Sequence, residues 1–385
     1  MKILHLYSDW KWTGPAEPVL QMCRGLQDLG HEVLFAHTRD EFEDAESVSQ
    51  KVVEYGVNAT TRFALDRHFP VFRSLRDTVT LPRFVKAEAF DVVHMHLTYD
   101  HSFSAVFMRM LLRDRPLLVR TFHKRAVIKN TFTNRLLVRH LMDAGLTFTE
   151  GFRSEYCETF GLDRDTMGVQ PMTVDLKRFR PDRTFRDMRA ELGIPASAPV
   201  VGIVARFQKY RKMDVFLTAA KQVLEQEPEA RFVVIGRSSQ IQETVLDPMR
   251  ELGISDRVIL TGYRIDDYDD ILASLDIFSL LVPGFDGTAR AVREAMALGK
   301  PCVTSDFGML PDIVPHGDVG LNAQLEVEPL ADAWLQLIRD PDRRKAMGER
   351  ARKHAVDHFD TALVGPALEA FYKQMLERKS RTNGL

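Results

Sequence analysis

The chain has 385 residues and a formal net charge of -2, with 45% hydrophobic and 28% charged residues. This length exceeds one ordinary hydrophobic core and predicts two domains of roughly 150 to 200 residues, and the near-neutral charge gives no reason to expect a nucleic-acid partner. Three cysteines without a CxxC pair favour a reducing compartment and argue against a thiolate metal site.

The N-terminal residues KILHLYSD form a strand-like run directly after Met1, so we expect no signal peptide. The apolar runs along the chain stop at about eight residues, well below the roughly 20 that span a bilayer. We therefore expect a cytoplasmic protein, and a peripheral position on the inner face of a membrane stays open.

Short runs rich in Val, Ile and Phe alternate with helix-like segments, which is the pattern of parallel βαβ units. The first series of predicted strands comprises residues 3–8, 33–37, 92–96, 117–122, 146–149 and 168–172. The second series comprises residues 200–205, 232–236, 258–262, 277–282 and 302–305. Each series is long enough for its own doubly wound parallel sheet, so we predict an α/β fold with two such sheets.

A charged stretch at 175–198, marked by two prolines, separates the two series and is typical of a linker. It predicts a first domain over 1–180 and a second over 181–360. Residues 361–385 are predicted as a C-terminal helix, and its return to the first domain is one alternative. Because open α/β sheets bind ligands at the carboxyl ends of their strands, a ligand such as a nucleotide is expected there.

The stretch VPGFDGTARAVREAMALGKP occupies residues 282–301. Its pattern predicts a strand over 277–282, a turn, and a helix over 288–298 with Thr288 as N-cap and Gly299 at the C-cap. The N–H groups at the start of this helix would suit an anion such as a diphosphate. These groups belong to Gly287, Thr288 and Ala289.

The same stretch contains two acids, Asp286 and Glu294. A carboxylate in the middle of a largely apolar helix is costly to bury without fixed partners, which favours a functional role for Glu294. Two structural alternatives stay open. Glu294 lies four residues after Arg290 and would form a weak surface pair with it, and Asp286 would stabilise the turn before the helix.

The segment PGFDGTARAVREAMALGKPCVT resembles the donor-site segment of retaining GT-B glycosyltransferases of glycosyltransferase family 4, which carries an E-x7-E pair followed by AMA. Other segments resemble landmarks of that family in the same order. They are GHEV, DVVHMH, TFH and VDLKRFRP in the first half, and ARFQKYRKMDVFL, VIGRSS, LTGYRIDDYDDILASLDIF and MLPDIV in the second. The resemblance covers most of the chain and implies the GT-B fold, two Rossmann-like domains facing a central cleft.

For the acid pair, the resemblance implies that Glu294 bonds the ribose of a donor nucleotide. It also implies that Asp286 contacts the transferred sugar as a catalytic residue. The family usually has glutamate at the position of Asp286, so this side chain is one methylene shorter and its contact with the sugar differs.

The resemblance further implies a pair of cations that holds the donor diphosphate after the first strand of the second domain. Arg206 matches the first position. Arg211 matches the second, where the family usually has lysine, and Lys212 follows where glycine is common; the sequence does not decide between Arg211 and Lys212. A solvated basic loop is the alternative. Cations together with a helix N-terminus would stabilise a leaving diphosphate, so we expect no metal and no other cofactor.

In the first domain, Gly14 in the segment TGP resembles part of the family's glycine-rich loop near the donor, and an ordinary strand-to-helix turn is the alternative. His123 matches a family histidine at the site of sugar transfer, where its side chain or its carbonyl group would face the sugar. His94 and His96 lie on a predicted strand, and we place them on opposite faces, one of them in packing contacts and neither in a metal site.

The run DDYDD at 266–270 invites a metal interpretation, which we reject because acids at the start of a helix suit the helix dipole and remain solvated. Tyr263 and Arg264, just before this run, fall where the family places groups that contact the base of the donor.

The segment between Met108 and His140 has nine Lys or Arg residues against one acid, Asp114. These are Arg109, Arg113, Arg115, Arg120, Lys124, Arg125, Lys129, Arg135 and Arg139. Such a basic surface would attract an anionic membrane or a phosphorylated acceptor. Solvated helix faces with acidic partners elsewhere in the fold are the alternative.

These features and the resemblance predict a metal-independent glycosyltransferase, and the resemblance implies that it retains the anomeric configuration. Its expected donor is a nucleotide-sugar, specifically a UDP-sugar, and its expected acceptor is a hydroxyl of a glycan or glycolipid such as a cell-envelope polysaccharide or lipopolysaccharide. Two alternatives stay open. A nucleotide-sugar epimerase of GT-B fold would turn over its donor without an acceptor, and a non-catalytic nucleotide-sugar-binding subunit would bind donor without turnover.

Overall fold

The computed structural model describes residues 1–40, 47–65, 71–123, 126–284 and 289–383, with the backbone alone at 71–75 and 382–383. The chain divides into two compact units. The first combines Met1–Met172 with Thr361–Leu385, and the second is Thr173–Asp360.

The division after Met172 differs from the predicted boundary at residue 180. Val174 forms a parallel bridge with Asp360, and its N–H donates to the Phe359 carbonyl at 2.9 Å. These pairings attach the residues that follow Met172 to the second unit. The C-terminal segment from residue 361 belongs to the first unit.

The strands alternate with helices along the chain, as the apolar runs predict. They are β1 (Lys2–Tyr7), β2 (Glu32–His37), β3 (Ala59–Thr60), β4 (Val92–Met95), β5 (Leu117–Thr121), β6 (Ala144–Thr147), β7 (Met167–Val169), β8 (Val200–Val204), β9 (Arg231–Ile235), β10 (Val258–Gly262), β11 (Ile277–Leu280), β12 (Cys302–Ser305) and β13 (Gly320–Ala323).

The helices begin with α1 (Ala16–Asp28), α2 (Val48–Tyr55), α3 (Val71–Ala87), α4 (Ala105–Leu111), α5 (Phe132–His140), α6 (Glu150–Phe160), α7 (Met188–Glu191) and α8 (Met213–Gln226). They continue with α9 (Asp247–Glu251), α10 (Tyr268–Ser274), α11 (Arg290–Ala297), α12 (Leu310–Ile313), α13 (Val327–Arg339), α14 (Pro341–Phe359) and α15 (Val364–Asn383). Short π-helical turns at Asp100–Ser104 and Gln242–Leu246 precede α4 and α9, and 3-10 turns span Arg164–Thr166, Lys209–Arg211 and Thr361–Leu363.

Within the described residues each unit contains one parallel sheet. The first sheet has seven strands in the order β3-β2-β1-β4-β5-β6-β7, and the second has six in the order β10-β9-β8-β11-β12-β13. The order reverses beside β1 in the first sheet and beside β8 in the second, as in doubly wound folds. The predicted α/β class with two Rossmann-like parallel sheets is confirmed.

Alternate residues of β1 enter two different cores, because successive side chains of a strand point to opposite faces. Ile3 and Tyr7 pack with residues of α1 and α15, whereas Leu4 and Leu6 pack with residues of α3 and α4. The first sheet is therefore covered on both faces. In the second unit, β8 packs against α8 and α13, where Phe216 and Trp334 meet edge to face at 5.1 Å.

Helices α1 and α15 pack closely at a pair of glycines. A Cβ atom on Gly365 would lie 2.3 Å from the Gly25 carbonyl oxygen, so neither backbone leaves space for a side chain there. This contact seats the C-terminal helix on the core built by β1 and α1. Tyr372 of α15 is buried in that core.

Candidate functional site

The donor-site prediction falls partly outside the described residues, because Asp286, Gly287 and Thr288 lie in the gap between 284 and 289. The described chain resumes at Ala289, which has a φ of 41° and is the N-cap of α11 without a side-chain hydrogen bond. Thr288 as N-cap was therefore wrong, because a residue in the left-handed region cannot continue a right-handed helix, and α11 begins only at Arg290. After α11, Gly299 has a φ of 73°, as expected of a residue that ends a helix.

Glu294 lies in the middle of α11 and is only 1% exposed. Its Oε2 accepts a hydrogen bond from the Tyr268 hydroxyl at 2.6 Å, and its Oε1 accepts one from Arg290 Nε at 2.6 Å. The pair with Arg290 exists, but it is not a surface pair, because only the arginine side chain, 52% exposed, reaches solvent. Glu294 is a buried carboxylate with two fixed donors and further acceptor capacity.

Tyr268, the first residue of α10, supplies the hydroxyl partner and was not predicted from the sequence. Burial and the neighbouring Glu294 carboxylate raise the pKa of Tyr268 well above its ordinary value, so the phenol remains a donor at neutral pH. The Glu294 carboxylate therefore already accepts a hydrogen bond from one hydroxyl group, that of Tyr268.

The cations after β8 lie near the start of the donor-site segment. Arg211 Nη1 donates to the Val282 carbonyl at 2.6 Å, which joins the loop after β8 to the residues that follow β11. Because β8 and β11 are parallel neighbours, both loops leave the same edge of the sheet. Arg206 is exposed in the same loop.

Lys212 is the N-cap of α8 and adopts a φ of 59°. This left-handed conformation is the one that glycine adopts without cost, which gives a physical reason for glycine at this position in the family. The Lys212 side chain is exposed. The structure thus shows Arg211 held in place and Lys212 in an unfavourable backbone conformation.

Two predicted base-contacting residues follow β10. Arg264 pairs with Asp267, with Nε 3.0 Å from Oδ1, and it also contacts Glu191 at 3.4 Å. Tyr263 is exposed, and the guanidinium of Arg237 stacks on its ring at 4.1 Å. Arg237 was not singled out in the sequence, although it follows β9 at the same sheet edge.

The acidic run at 266–270 binds arginines of the former linker. Asp269 pairs with Arg178 at 3.2 Å and with Arg183, and the Asp270 carboxylate accepts from the Arg186 N–H at 3.2 Å. The expectation that these acids remain solvated was wrong for Asp269 and Asp270, which are buried against the first half of the linker. The role of the run is to attach that segment to α10.

In the first unit, Gly14 lies in the turn between β1 and α1. The Ala16 N–H donates to the Thr13 carbonyl at 2.9 Å and closes this turn. The position is that of the predicted loop, and its contact with a donor stays a prediction.

His123, just after β5, lies at the end of a row of histidines. Its Nε2 is 3.3 Å from Nδ1 of His96, and Nε2 of His96 is 2.9 Å from Nδ1 of His5. The placement of His94 and His96 on opposite faces was wrong, because residues two apart on a strand share a face. Their ring centroids are 4.2 Å apart, and both are buried.

All these imidazoles are neutral at pH 7. Burial lowers the pKa of His5 to about 3, and burial together with the Arg120 cation lowers the pKa of His123 to about 3. Burial also places the pKa values of His94 and His96 well below their ordinary value.

One nitrogen from each of His5, His94 and His96 lies within 4.8 Å of the others, a separation that would suit a metal ion. Hydrogen bonds already occupy both nitrogens of His94, at 2.6 Å to Tyr372 Oη and at 2.6 Å to Thr121 Oγ1. Both nitrogens of His96 are also occupied. Among these three residues, within the described chain, His5 Nε2 alone has no hydrogen-bond partner.

On the other face of β5, Arg120 is 6% exposed, and its Nε and Nη1 have no partner within the described residues. It is flanked by Asp100, whose Oδ2 accepts from the Leu97 N–H at 2.7 Å. Burial raises the pKa of Asp100 to about 7, against the opposing effect of that hydrogen bond and of the Arg120 charge. Neither buried charge was recognised in the sequence.

The predicted basic surface between Met108 and His140 is smaller than its sequence indicates. Arg120 is buried, so its assignment to that surface was wrong. Arg109 and Arg115 both bind Asp143, at 3.0 Å and 2.5 Å, and Lys124 with Arg125 lies outside the described residues. Within the described ranges, no helix is both long enough and apolar enough to cross a membrane.

The sequence matches two protein-family descriptions that together cover most of the chain. Glycosyltransferase Family 4 matches residues 13–178, and Glycosyl transferases group 1 matches residues 184–354.

Individual relatives agree with these matches. The chain is 27% identical over 296 residues to the N-acetyl-alpha-D-glucosaminyl L-malate synthase of Bacillus anthracis, covering 75% of this chain and 76% of the relative. It is 31% identical over 307 residues to the D-inositol 3-phosphate glycosyltransferase of Corynebacterium aurimucosum, covering 74% and 71%. The solved structure of Anabaena Alr3699/HepE in complex with UDP has a TM-score of 0.78 at 18% identity, covering 96% of this chain and 99% of that one, which shows a shared fold.

Proposed function

Since the chain belongs to glycosyltransferase family 4 and has the GT-B fold, we propose that it transfers a sugar from a UDP-sugar to a hydroxyl group of a glycan or glycolipid. That it is a glycosyltransferase follows from the family. The choice of UDP is supported by the complex of the Anabaena protein with UDP. The two relatives are named for L-malate and D-inositol 3-phosphate, so the acceptor is tested separately from the donor.

The observation that carries the proposal is the buried carboxylate of Glu294, which accepts a hydroxyl hydrogen bond at 2.6 Å. Ribose presents two neighbouring hydroxyl groups, and a carboxylate can accept both. In the proposed complex these hydroxyls replace Arg290 as partners of Glu294. Because the ribose hydroxyls would themselves donate to the carboxylate, the buried Glu294 keeps hydrogen-bond partners when the half-exposed Arg290 is released.

The diphosphate is proposed to lie at the carboxyl edge of the second sheet, beside Arg206 and Arg211. Two guanidinium groups would bind its oxygens in forked hydrogen bonds and stabilise the negative charge that develops as the sugar leaves. In this proposal Asp286, Gly287, Thr288 and Ala289 bind the sugar and diphosphate beside them, and Tyr263 and Arg264 bind the base. No metal takes part.

The transfer is proposed to retain the anomeric configuration. The leaving diphosphate would take the proton of the acceptor hydroxyl on the same face of the sugar, with Asp286 orienting the sugar. Gly14 and His123 stay proposed sugar contacts. Acceptor binding is proposed on the first unit. Association with an anionic membrane stays a prediction. The proposed membrane contact is now assigned to α5, where Phe132 is 84% exposed beside the exposed Arg135 and Arg139.

A binding and turnover comparison tests the proposal. We expect isothermal titration to show binding of UDP and weaker or no binding of ADP and GDP. A UDP-sugar should then be hydrolysed slowly without acceptor and transferred with retention to a glycan or glycolipid, with an unchanged rate in EDTA. Conversion of the donor to its epimer would show an epimerase, binding without any turnover would show a binding subunit, and a rate abolished by EDTA would exclude the metal-independent mechanism.

A pair of substitutions decides between the two candidate diphosphate ligands. Arg211→Met should weaken UDP binding by about tenfold or more, because it removes a charge-assisted hydrogen bond to phosphate. Lys212→Gly should leave UDP affinity within about threefold of the wild type, and it should raise the melting temperature because glycine adopts a φ of 59° without strain. The opposite ranking of the two affinities, measured by titration, would identify Lys212 as the ligand.

A further inference from the structure

Three imidazoles form a continuous hydrogen-bonded row across the first sheet. His5 lies on β1, His96 directly after β4 and His123 two residues after β5, and these three strands are neighbours. The row runs from His123 Nε2 through both nitrogens of His96 to His5 Nδ1, with separations of 3.3 Å and 2.9 Å. It therefore joins a predicted site residue to a histidine inside the core.

Such a row of neutral rings has only two consistent proton arrangements. A neutral imidazole carries one N–H donor and one lone-pair acceptor, so the role of each ring in one hydrogen bond fixes its role in the next. In the first arrangement all three rings are protonated at Nε2, and His5 Nε2–H points away from the row. In the second all three are protonated at Nδ1, His96 donates to His123, and His123 presents its Nδ1–H outside the row.

The inner end of the row distinguishes the two arrangements. His5 Nε2 is buried and has no hydrogen-bond partner among the described residues. The first arrangement would bury an unpaired N–H donor there, whereas the second leaves an unpaired lone pair. Among backbone groups, unpaired buried N–H donors are rarer than under-satisfied carbonyl acceptors, and we apply the same preference to the buried imidazole. The Arg120 guanidinium lies on the other face of β5, and its charge contributes to lowering the pKa values of His96 and His123.

We propose that His5 and His96 are positioning residues that fix His123 as the Nδ1–H tautomer, so that His123 donates a hydrogen bond from Nδ1 to an oxygen of the transferred sugar. His123 Nδ1 makes no hydrogen bond to another described residue and is the nitrogen available to a ligand. A ring held in this tautomer has no lone pair at Nδ1 and does not act there as a general base. The role toward the sugar rests on the proposed function, whereas the tautomer is a property of the free protein.

Nitrogen NMR on the free protein tests the tautomer directly. Deuterated protein with 15N-labelled histidine is recorded at pH 7.5 in long-range proton–nitrogen correlation spectra, and the three rings are assigned with His5→Phe, His96→Asn and His123→Asn. We expect the Nδ1–H pattern for His5, His96 and His123. An Nε2–H pattern at His123, a mixture of tautomers along the row, or a shift of these nitrogens on addition of zinc would overturn the proposal.

Substitutions of His96 show whether the row fixes the tautomer. His96→Asn keeps an amide N–H near the position of Nδ1, so His123 should remain the Nδ1–H tautomer. His96→Leu removes the donor, and His123 should then populate both tautomers. The control is Tyr372→Phe, which removes a hydroxyl bonded to His94 outside the row and should leave His123 unchanged. An unchanged His123 in His96→Leu would contradict the proposal.

The role toward the sugar is tested by activity with the identified UDP-sugar. His123→Asn places an amide N–H near Nδ1 and should keep kcat/KM within about tenfold of the wild type, whereas His123→Gln places it near Nε2 and should lose about 100-fold. Equal losses in both variants would contradict donation from Nδ1. If the wild type showed no transfer at all, the proposed function would fail while the NMR result on the tautomer would still stand.

Discussion

Replacing Glu294 with alanine is expected to lower the affinity for UDP by about 100-fold, corresponding to about 2.7 kcal/mol. The buried carboxylate is proposed to accept hydrogen bonds from the ribose hydroxyls, and hydrogen bonds to a charged group contribute about 1.5 to 3 kcal/mol. The measurement is calorimetric titration of wild type and variant with UDP at one pH and ionic strength.

The burial of Glu294 makes alanine an imperfect test by itself, because the variant also leaves the Tyr268 hydroxyl without its acceptor. Glu294→Gln separates the two effects. The amide oxygen can still accept from Tyr268, and the half-exposed Arg290, which cannot donate to the amide NH2, can turn to solvent, so the melting temperature should change little. UDP affinity should fall by about tenfold through the loss of charge.

Tyr268→Phe is the matched control for this site. It removes the other end of the same 2.6 Å hydrogen bond and leaves the carboxylate in place. UDP affinity should stay within about threefold of the wild type, because no ribose contact is lost. Folded Glu294→Ala protein that binds UDP as tightly as the wild type would refute the ribose assignment.

Replacing Asp100 with asparagine is expected to stabilise the protein at high pH relative to the wild type. Burial raises the folded-state pKa of Asp100 from 3.8 to about 7. Between these values the folded state retains a proton that the unfolded chain has lost, so the free energy of unfolding of the wild type falls as pH rises. Asparagine is neutral throughout and can keep the hydrogen bond from the Leu97 N–H.

The free energy of unfolding of Asp100→Asn, relative to that of the wild type, should therefore rise by about 3 kcal/mol between pH 5 and pH 8. Urea unfolding at several pH values measures it. The buried histidines titrate in both proteins, and their effect cancels in the comparison.

Asp143 provides a control, because its pKa is shifted in the opposite direction from that of Asp100. Although burial alone would raise the pKa of Asp143, hydrogen bonds and charge from Arg115 lower it overall. Asp143 is thus ionised in both states above pH 5, and the cost of Asp143→Asn should be nearly constant from pH 5 to pH 8. A pH-independent difference for Asp100→Asn as well would show that Asp100 titrates normally.

The strands of this fold could be predicted because buried parallel strands leave continuous apolar runs in the sequence. The predicted strands at 258–262 and 302–305 have the bounds of β10 and β12 in the structure. The two strands that were missed lie at sheet edges. Strand β3 has only two residues, and β13 is the segment GLNA. Neither carries a run of β-branched residues from which it could be recognised.

The interior of the site was less predictable for two physical reasons. The contact of His5 with His96 depends on the pairing of β1 with β4, which brings together residues 91 positions apart. Asp100 and Arg120 were missed because charged side chains are expected at the surface, and nothing local in the sequence marks the few that are buried. Tyr268 was likewise read as part of an acidic run rather than as a partner of Glu294.

The packing of α15 against α1 means that the first unit can complete its fold only after the second unit has been synthesised. Residues 173–360 are contiguous and leave the ribosome before the last helix, whereas the core around β1 lacks Leu368, Tyr372 and Met375 until translation ends. Domains of multidomain chains generally fold in the order in which they emerge. Here the unit that is synthesised first should be finished last. A released chain that ends at residue 360 should protect the second unit from proteolysis while the first remains open to cleavage.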